Sequence, residues 1–421
     1  MPVELLSEIF LSTLDITPVE EKLKLVINLC HTSHGLRSVA LSTAKLWGSL
    51  AINLSIYDSS LVSEKNIGFL RWWGTVLWSQ HNNNFSLRFT FGFLDGKFAP
   101  ENKTSALDTQ KMQTIVGLIA RARVLELNCA GLTFLRGAIQ VESPIPLPLL
   151  EDLRIGRVRG FQADLHLDKA REIYRFLALF DPPAIRRLAV AHVLGHPKKY
   201  DRTGAYWGMW PKLIEIDAEF TGELVEWRMF FSHFVALERA RIVTSVGNED
   251  DSNNGFDTAT VPRLLHLDIC GWGDIDRVLE GFAFPALKTL IIRGDELPIS
   301  AINRALLATP SLERLELIGV LFESVINSSS RLVNLLPHLE HVTIDHEWKP
   351  FLSSERSLIE HIDALKKSGW LGGPWKRGPL TLEIICAMSE DDMLAGWPME
   401  SYDFGQVNIT LKSVSSQHRV W

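Results

Sequence analysis

The sequence of 421 residues contains only four cysteines, and they lie far apart. Cys30, Cys129, Cys270 and Cys386 include no C-x-x-C pair. Their spacing disfavours both a disulfide framework and a paired-cysteine metal site. We therefore expect reduced, mostly packed thiols, which are typical of a protein of the cytoplasm, the nucleus or both.

Long hydrophobic runs and an excess of basic residues are also missing. No apolar run approaches the roughly 18 residues of a membrane-spanning helix, and Glu4 and Glu8 stand where a secretory signal would be basic. The formal net charge of -7 gives no electrostatic footprint for nucleic acid or an anionic membrane. We expect neither of them as a partner.

Motifs that carry catalysis are absent as well. The chain has no phosphate-binding P-loop and no G-x-S-x-G nucleophile elbow. His192 and His196 are four residues apart, but Gly195 and Pro197 break the helix that would bring them together. These absences predict a protein that is not an enzyme and that holds neither a metal nor a cofactor.

The first fourteen residues, by contrast, are dense in apolar side chains. Pro2 suits the first turn of a helix, where its missing N–H has no partner to lose. The spacing i, i+1, i+4 and i+5 predicts one shared helical side for Leu5, Leu6, Ile9 and Phe10. A small N-terminal bundle can bury only part of this set, so we expect the rest to meet a partner.

Two further helices are indicated behind the first one. Thr17, Pro18 and Glu20 form the start signal of the second helix, with a T-x-x-E capping box. Gly35 interrupts the apolar pattern, and a third helical segment is predicted over 36–41.

The order of these residues resembles the F-box, the module that docks a protein onto the Skp adaptor of SCF ubiquitin ligases. The resemblance covers residues 1–50. It rests on M-P-V-E-L-L-S-E-I-F from Met1, on L-C at Leu29, and on R-S-V-A-L-S-T-x-x-L-W from Arg37 to Trp47. The last stretch is similar to the F-box-like proteins abundant in mushroom-forming fungi. The family implies docking on a Skp-type adaptor and, through it, on a cullin. The residues implied for this contact or its support are Pro2, Leu5, Leu6, Ile9, Phe10 and Leu14.

A degenerate F-box outside any ligase is the alternative. Met1, Leu36 and Ala44 stand where the family often has Leu, Trp and Pro. The segment would then serve only as an N-terminal cap on a scaffold of repeats. This alternative predicts that Ile9 and Phe10 are both buried inside the chain.

An internal repeat of the form apolar-x-x-apolar-x-apolar runs through the rest of the chain. Between Ile216 and Val342 the fourth position recurs about every 25 residues, which is typical of a solenoid built from short strands. The eight clear copies begin at Leu150, Ile185, Leu213, Leu237, Leu264, Leu287, Leu312 and Leu339.

The stretch P-x-L-E-x-L-x-L over Pro310 to Leu317 resembles the leucine-rich repeats of many F-box proteins. The Asn or Cys that regular repeats carry three residues beyond the last apolar position is missing here, which predicts an irregular horseshoe. The fold class is α/β. The predicted domains are an F-box-like module (1–50), a helical and strand junction (51–120), irregular leucine-rich repeats (121–347) and a C-terminal cap (348–421). A compact α/β domain with alternating strands and helices is the second architecture.

The strand residues between the apolar positions are expected to face the concave surface. They carry both signs of charge, so they form either a solvated sheet face, whose ion pairs contribute little, or a recognition surface for a target protein. The candidate substrate-binding residues are Arg154, Arg187, Glu215, Asp217, Arg239, Arg241, His266, Asp268, Arg314 and Glu316.

Overall fold

A computed structural model divides the chain into two compact units, Met1–Leu213 and Ile214–Trp421. The structure describes residues 2–17, 19–48, 51–53, 68, 71–72, 74–75, 88–90, 114, 117, 119–120, 122–128, 145–156, 180–181, 183–193, 210–222, 231–246, 259–272, 279, 282–294, 306–307, 309–318, 332–345, 367, 379–386 and 407–413.

Four helices open the first unit: α1 (Val3–Ile16), α2 (Val19–Thr32), α3 (His34–Ser42) and α4 (Ala44–Gly48). Pro2 lies at the N-cap of α1, where its fixed φ favours a helix start. Ser33 caps α3, because its hydroxyl accepts the backbone N–H of Leu36 at 3.1 Å. The third helix therefore begins at His34 rather than at Leu36.

Thr17 ends the first helix. Its hydroxyl donates to the carbonyl oxygen of Thr13 at 2.6 Å, and its backbone N–H bonds the carbonyl of Leu14. Pro18 and the side chain of Glu20 lie outside the described residues, so the reciprocal bond of the predicted capping box stays a prediction.

The four helices share a small apolar core. Phe10 and Leu14 of α1, Val26 of α2 and Val39 of α3 are all buried. Trp47 of α4 is buried too, and its indole N–H donates to the carbonyl of Ala40 at 2.8 Å. Between helices, the hydroxyls of Ser7 and Thr43 lie 3.0 Å apart.

Parallel strands follow in the first unit. β1 (Ala51–Asn53) pairs with β2 (Arg88–Thr90), and β4 (Ile145–Pro146) pairs with β6 (Phe180–Asp181). The longer strands β3 (Val124–Asn128), β5 (Asp152–Gly156) and β7 (Arg187–Val193) pair in that order. A 3₁₀ turn over Trp210–Lys212 closes the described part of this unit.

Among its described residues, the second unit has eight strands in one sheet, and neighbouring strands are parallel. They are β8 (Glu215–Gly222), β9 (Arg239–Val246), β11 (His266–Trp272), β13 (Thr289–Gly294), β14 (Arg314–Ile318), β15 (His341–Asp345), β16 (Leu380–Cys386) and β17 (Val407–Ser413). A short pair, β10 (Ala259–Thr260) with β12 (Phe282–Ala283), and the helix α5 (Leu332–Leu335) complete the described elements.

The repeat motif accounts for the core of the second unit. Its first apolar position is buried in every copy from Leu237 to Leu339. The fourth and sixth positions align in register across the sheet and are buried as well, as at Leu267 and Ile269. Because successive strands add to one side without reversing order, this unit is a parallel-sheet solenoid and not a doubly wound α/β domain.

Five strands of this solenoid, β9, β11, β13, β14 and β15, begin with the same backbone contact. The carbonyl oxygen of the residue just before one strand accepts two backbone N–H groups from the start of the next strand in the sheet. The carbonyl of Lys288, for example, accepts from Glu313 at 2.9 Å and from Arg314 at 2.9 Å. Ile214, Glu238, Leu265 and Glu313 accept in the same way. We call this contact the strand-entrance pair; it uses no side chain.

The two strands beyond residue 348 continue the parallel sheet. Leu382 and Ile384 of β16 align with Val342 and Ile344 of β15, and all four are buried. The apolar pattern of the sequence predicts strands over 380–386 and 407–411 within this segment, and both are present. The capping role of residues 348–421 stays a prediction.

The sequence pattern also predicts polar loops over 95–110 and 247–258 and helices over 299–307, 325–336 and 355–367. Both loops and most of these helical ranges lie outside the described residues. Within the helical ranges, the structure describes Leu306 as helical, Leu307 as a turn, α5, and Lys367 as helical. No helix among the described residues has the length and apolar character to cross a membrane.

Candidate protein-binding surfaces

Helix α1 is apolar on two different sides. Phe10 and Leu14 are 6% and 2% exposed and pack into the helical core. Leu5, Ile9 and Ile16 are 55%, 49% and 85% exposed. At about 100° per residue, these three positions fall within a narrow arc, roughly 140° away from the buried side. We call Leu5, Ile9 and Ile16 the outward stripe.

The six residues implied for adaptor contact thus separate into two groups. Pro2, Leu5 and Ile9 are exposed, and Leu6 is half-buried. Phe10 and Leu14 lie in the core, where they support the outward stripe from behind. The predicted single side shared by Ile9 and Phe10 is not observed, because adjacent helical residues point about 100° apart.

Ile16 belongs to the outward stripe although sequence reasoning passed over it. Its signal was available, since Ile16 follows Ile9 by seven residues and Leu5 by eleven, both near whole numbers of helical turns.

The second surface is the outer side of the sheet in the second unit, opposite the buried repeat positions. We call it the polar face. Its first row, in strand order, is Glu215, Arg239, His266, Thr289, Arg314, His341, Thr381 and Asn408. Its second row is Asp217, Arg241, Asp268, Ile291, Glu316, Thr343, Glu383 and Thr410. Eight of the predicted substrate-binding residues lie in these two rows, which places them together on one sheet.

A chain of ion pairs crosses the first four strands of the polar face. Arg241 lies between Asp217 and Asp268, at 3.8 Å from each carboxylate. Asp268 is only 7% exposed and accepts two further bonds from Arg293, at 2.9 and 3.1 Å. Paired, hydrogen-bonded charges can be buried at a tolerable desolvation cost. Asp268 is therefore a structural centre of this part of the face.

Arg293 was missed by sequence reasoning. In register it aligns with Cys270, two positions beyond Asp268, so its contact with Asp268 is diagonal. A pattern of alternating strand residues predicts which side an arginine occupies, but not how far its long side chain reaches.

Burial raises the pKa of Asp217 above its ordinary value, and Asp268 and Glu215 raise it further, while the Arg241 guanidinium beside it lowers it. Desolvation disfavours the carboxylate, and nearby negative charges add to that effect. The net direction is upward, so Asp217 holds its charge less readily than an isolated aspartate does.

Beyond Ile291, which is buried within the second row, the polar face changes character. Arg314 bonds Glu316 on its own strand at 2.7 Å. Further along lies a recess of about 370 Å³, lined by Val342 and by the polar residues Arg314, His341, Thr343, Thr381, Glu383 and Thr410. We call it the Thr recess.

Arg154 and Arg187 belong to the first unit. Arg154 forms a two-pronged contact with Asp152 on its own strand, at 2.8 to 3.2 Å, and Arg187 is exposed at the start of β7. Asp152 is buried, so Arg154 neutralises a buried carboxylate. Within the described residues, no group of three or more His, Cys, Asp or Glu side chains is placed to hold a metal ion.

Comparison with known proteins yields little. No protein-family model matches the chain, and no curated protein matches it. Among solved structures, the chain is similar to the leucine-rich repeat-containing protein LegL7 from Legionella pneumophila, with a TM-score of 0.34 and 11% identity over 76% of this chain and 87% of that one.

Proposed function

We propose that the protein is a non-catalytic adaptor, which docks through the outward stripe of α1 onto a Skp-type adaptor of an SCF ubiquitin ligase. Through its repeats it holds a target protein near that ligase. Such a protein acts by proximity, because holding two partners together raises their effective concentration without new chemistry.

The observation that carries the proposal is the two-sided helix α1. A helix that only caps a bundle needs one apolar side, and α1 already has that side in Phe10 and Leu14. Three further apolar side chains at helical spacing on an exposed side require a different explanation. An apolar helix face laid against a partner's groove supplies one, and the F-box resemblance of residues 1–50 suggests which partner.

The polar face supports the second half of the proposal. A parallel-sheet solenoid presents an extended surface of regularly spaced side chains. Here that surface carries both signs of charge and hydroxyl groups, a composition that suits hydrogen bonds and ion pairs with another protein.

A pull-down with purified Skp-type adaptor tests the docking half. Burying one exposed Ile or Leu side chain is worth roughly 1.5–3 kcal/mol. We therefore expect Ile9→Asp to lower adaptor affinity by about tenfold or more, with Leu5→Asp acting alike. Leu307→Asp is the matched control, because Leu307 is also an exposed apolar residue, 65% exposed, but lies in the second unit.

Phe10→Ala gives a different result if the proposal holds. Phe10 is buried, so its truncation is expected to lower the melting temperature of the helical module, whereas Ile9→Asp leaves that temperature nearly unchanged. The proposal fails if wild type, Ile9→Asp and Leu307→Asp all leave the adaptor equally unbound.

That failure would favour a second function, a repeat scaffold outside any ligase. The burial of Phe10 and Leu14 and the bond between Ser7 and Thr43 are what a structural cap requires. The exposure of Ile9 is the observation that this alternative does not explain.

A further inference from the structure

We propose that the Thr recess is where the polar face takes its target, and that the bound element is an extended segment rich in uncharged polar side chains (Ser, Thr, Asn and Gln). This inference rests on the part of the proposed function that assigns protein binding to the repeats.

The ion-paired half of the face is poorly suited to a new partner. Asp217, Arg241, Asp268 and Arg293 already contact one another across four strands. Asp268 and Arg293 are the largely buried pair of this group. A partner that drew Arg293 away would leave the buried Asp268 carboxylate without its closest cation, which is costly. The buried Ile291 separates this half from the recess.

The recess offers hydrogen bonds with little net charge. Three of its lining residues are threonines, which both donate and accept, and Arg314 and Glu383 carry opposite charges. Arg314 also contacts Glu316 on its own strand, so its charge is already balanced within the face and is a weak attraction for an acidic segment. Six of the seven lining residues are polar and can hydrogen-bond.

Uncharged side chains that donate and accept at once satisfy this lining. Carboxamides and hydroxyls can accept from Arg314 or His341 while donating to Glu383 or a threonine oxygen. The volume of about 370 Å³ falls at the lower end of the range of sites that hold a ligand of small-molecule size, so it accommodates a few side chains of an extended segment.

Selection of displayed random peptides on the immobilised full-length chain tests the inference. We expect enrichment of peptides rich in Ser, Thr, Asn and Gln. Their affinity should change little, within about twofold, between about 0.1 M and about 1 M salt, because uncharged contacts are not screened.

Variants then locate the site. His341 and Thr410 are exposed, so His341→Ala and Thr410→Ala are each expected to weaken a selected peptide by about tenfold while leaving the melting temperature unchanged. Arg263→Ala, at an exposed turn position away from the polar face, is the matched control and should bind like wild type.

Three results would overturn the inference: enrichment of acidic, basic or apolar peptides; no enrichment at all; or loss of binding in Arg239→Ala with none in the two recess variants. Failure of this inference is distinguishable from failure of adaptor docking. The pull-down with Ile9→Asp measures binding at helix α1, whereas the peptide selection measures binding at the sheet.

Discussion

At the scale of single residues, two buried threonines are placed in opposite ways. Thr309 is buried, and its hydroxyl donates to the carbonyl of Leu306 at 2.9 Å. Thr244 is buried on β9, beside Gly271 in register, and its hydroxyl has no hydrogen-bond partner within the described part of the chain. A buried hydroxyl without a hydrogen bond destabilises the folded state, whereas a hydrogen bond offsets the desolvation cost of burying the hydroxyl.

Thr244→Val is therefore expected to stabilise the protein by about 1 kcal/mol, because valine keeps the shape and removes the unsatisfied hydroxyl. Thr309→Val, the matched change, should destabilise it by about 1 kcal/mol through the lost hydrogen bond. Denaturant unfolding of both variants measures the two free energies. Equal signs for the two changes would contradict this assignment.

The raised pKa of Asp217 predicts how the stability of the protein depends on pH. Its pKa is raised in the folded state, so the folded chain holds that proton more tightly than the unfolded chain does. Stability from this group is present at low pH and is lost as pH rises from the unfolded pKa through the folded one. Asp217→Asn should remove that loss, so its stability relative to wild type should rise across the acidic range and level off above it.

Urea unfolding of wild type and Asp217→Asn at a series of pH values measures this difference. Glu219→Gln, on the same strand but in another row, serves as the comparison. A relative stability of Asp217→Asn that falls with rising pH would show that the contact with Arg241 outweighs burial.

At the scale of elements, much of the sheet follows from the sequence. The apolar-x-x-apolar-x-apolar motif predicts both where each strand starts and which residues are buried, because side chains alternate across a strand. Leu312, Leu315 and Leu317 are buried, whereas Arg314 between them is exposed.

The features that the sequence does not predict depend on how far long side chains extend and on which elements pack together. The contact of Arg293 with Asp268 joins side chains in different rows of adjacent strands. The sequence pattern predicts one apolar side of α1 where the structure has two, because the spacing i, i+1, i+4 and i+5 covers a wide arc of a helix. Helix α3 begins at His34, two residues before the predicted start, because Ser33 accepts the N–H of Leu36. The apolar pattern does not mark Ser33.

The strand-entrance pair is open to a direct test. Glu313 donates its backbone N–H to Lys288, and proline lacks that donor. Glu313→Pro is expected to lower the free energy of unfolding by about 1–3 kcal/mol. Glu313→Ala keeps the backbone N–H and removes the side chain, whose printed contact is an exposed ion pair with Lys288 Nζ, so it should cost less than about 1 kcal/mol. Similar losses for both variants would show that the side chain, and not the backbone, matters here.

At the scale of the whole molecule, the second unit is built as a one-dimensional array. Each strand pairs only with the strands before and after it in the sheet order, so stability is expected to spread from neighbour to neighbour. A lesion near one end should then act differently from a lesion in the middle.

Leu382→Ala and Leu290→Ala remove the same side chain from equivalent buried positions of β16 and β13. Each should cost about 2–5 kcal/mol locally. Hydrogen exchange should accelerate mainly in β16 and β17 for Leu382→Ala, and on both sides of β13 for Leu290→Ala. Uniform acceleration across all eight strands in both variants would show that the unit opens as a single block.

The strand-entrance pair has a consequence for how this surface can change over time. Because peptide groups alone make this contact in five strands, the neighbouring side chains are not needed to hold those strands in place. Exposed positions such as Arg239 and His341 begin their strands at that contact. Substitutions at these positions are therefore expected to change the chemistry of the surface one side chain at a time while the strand order stays the same.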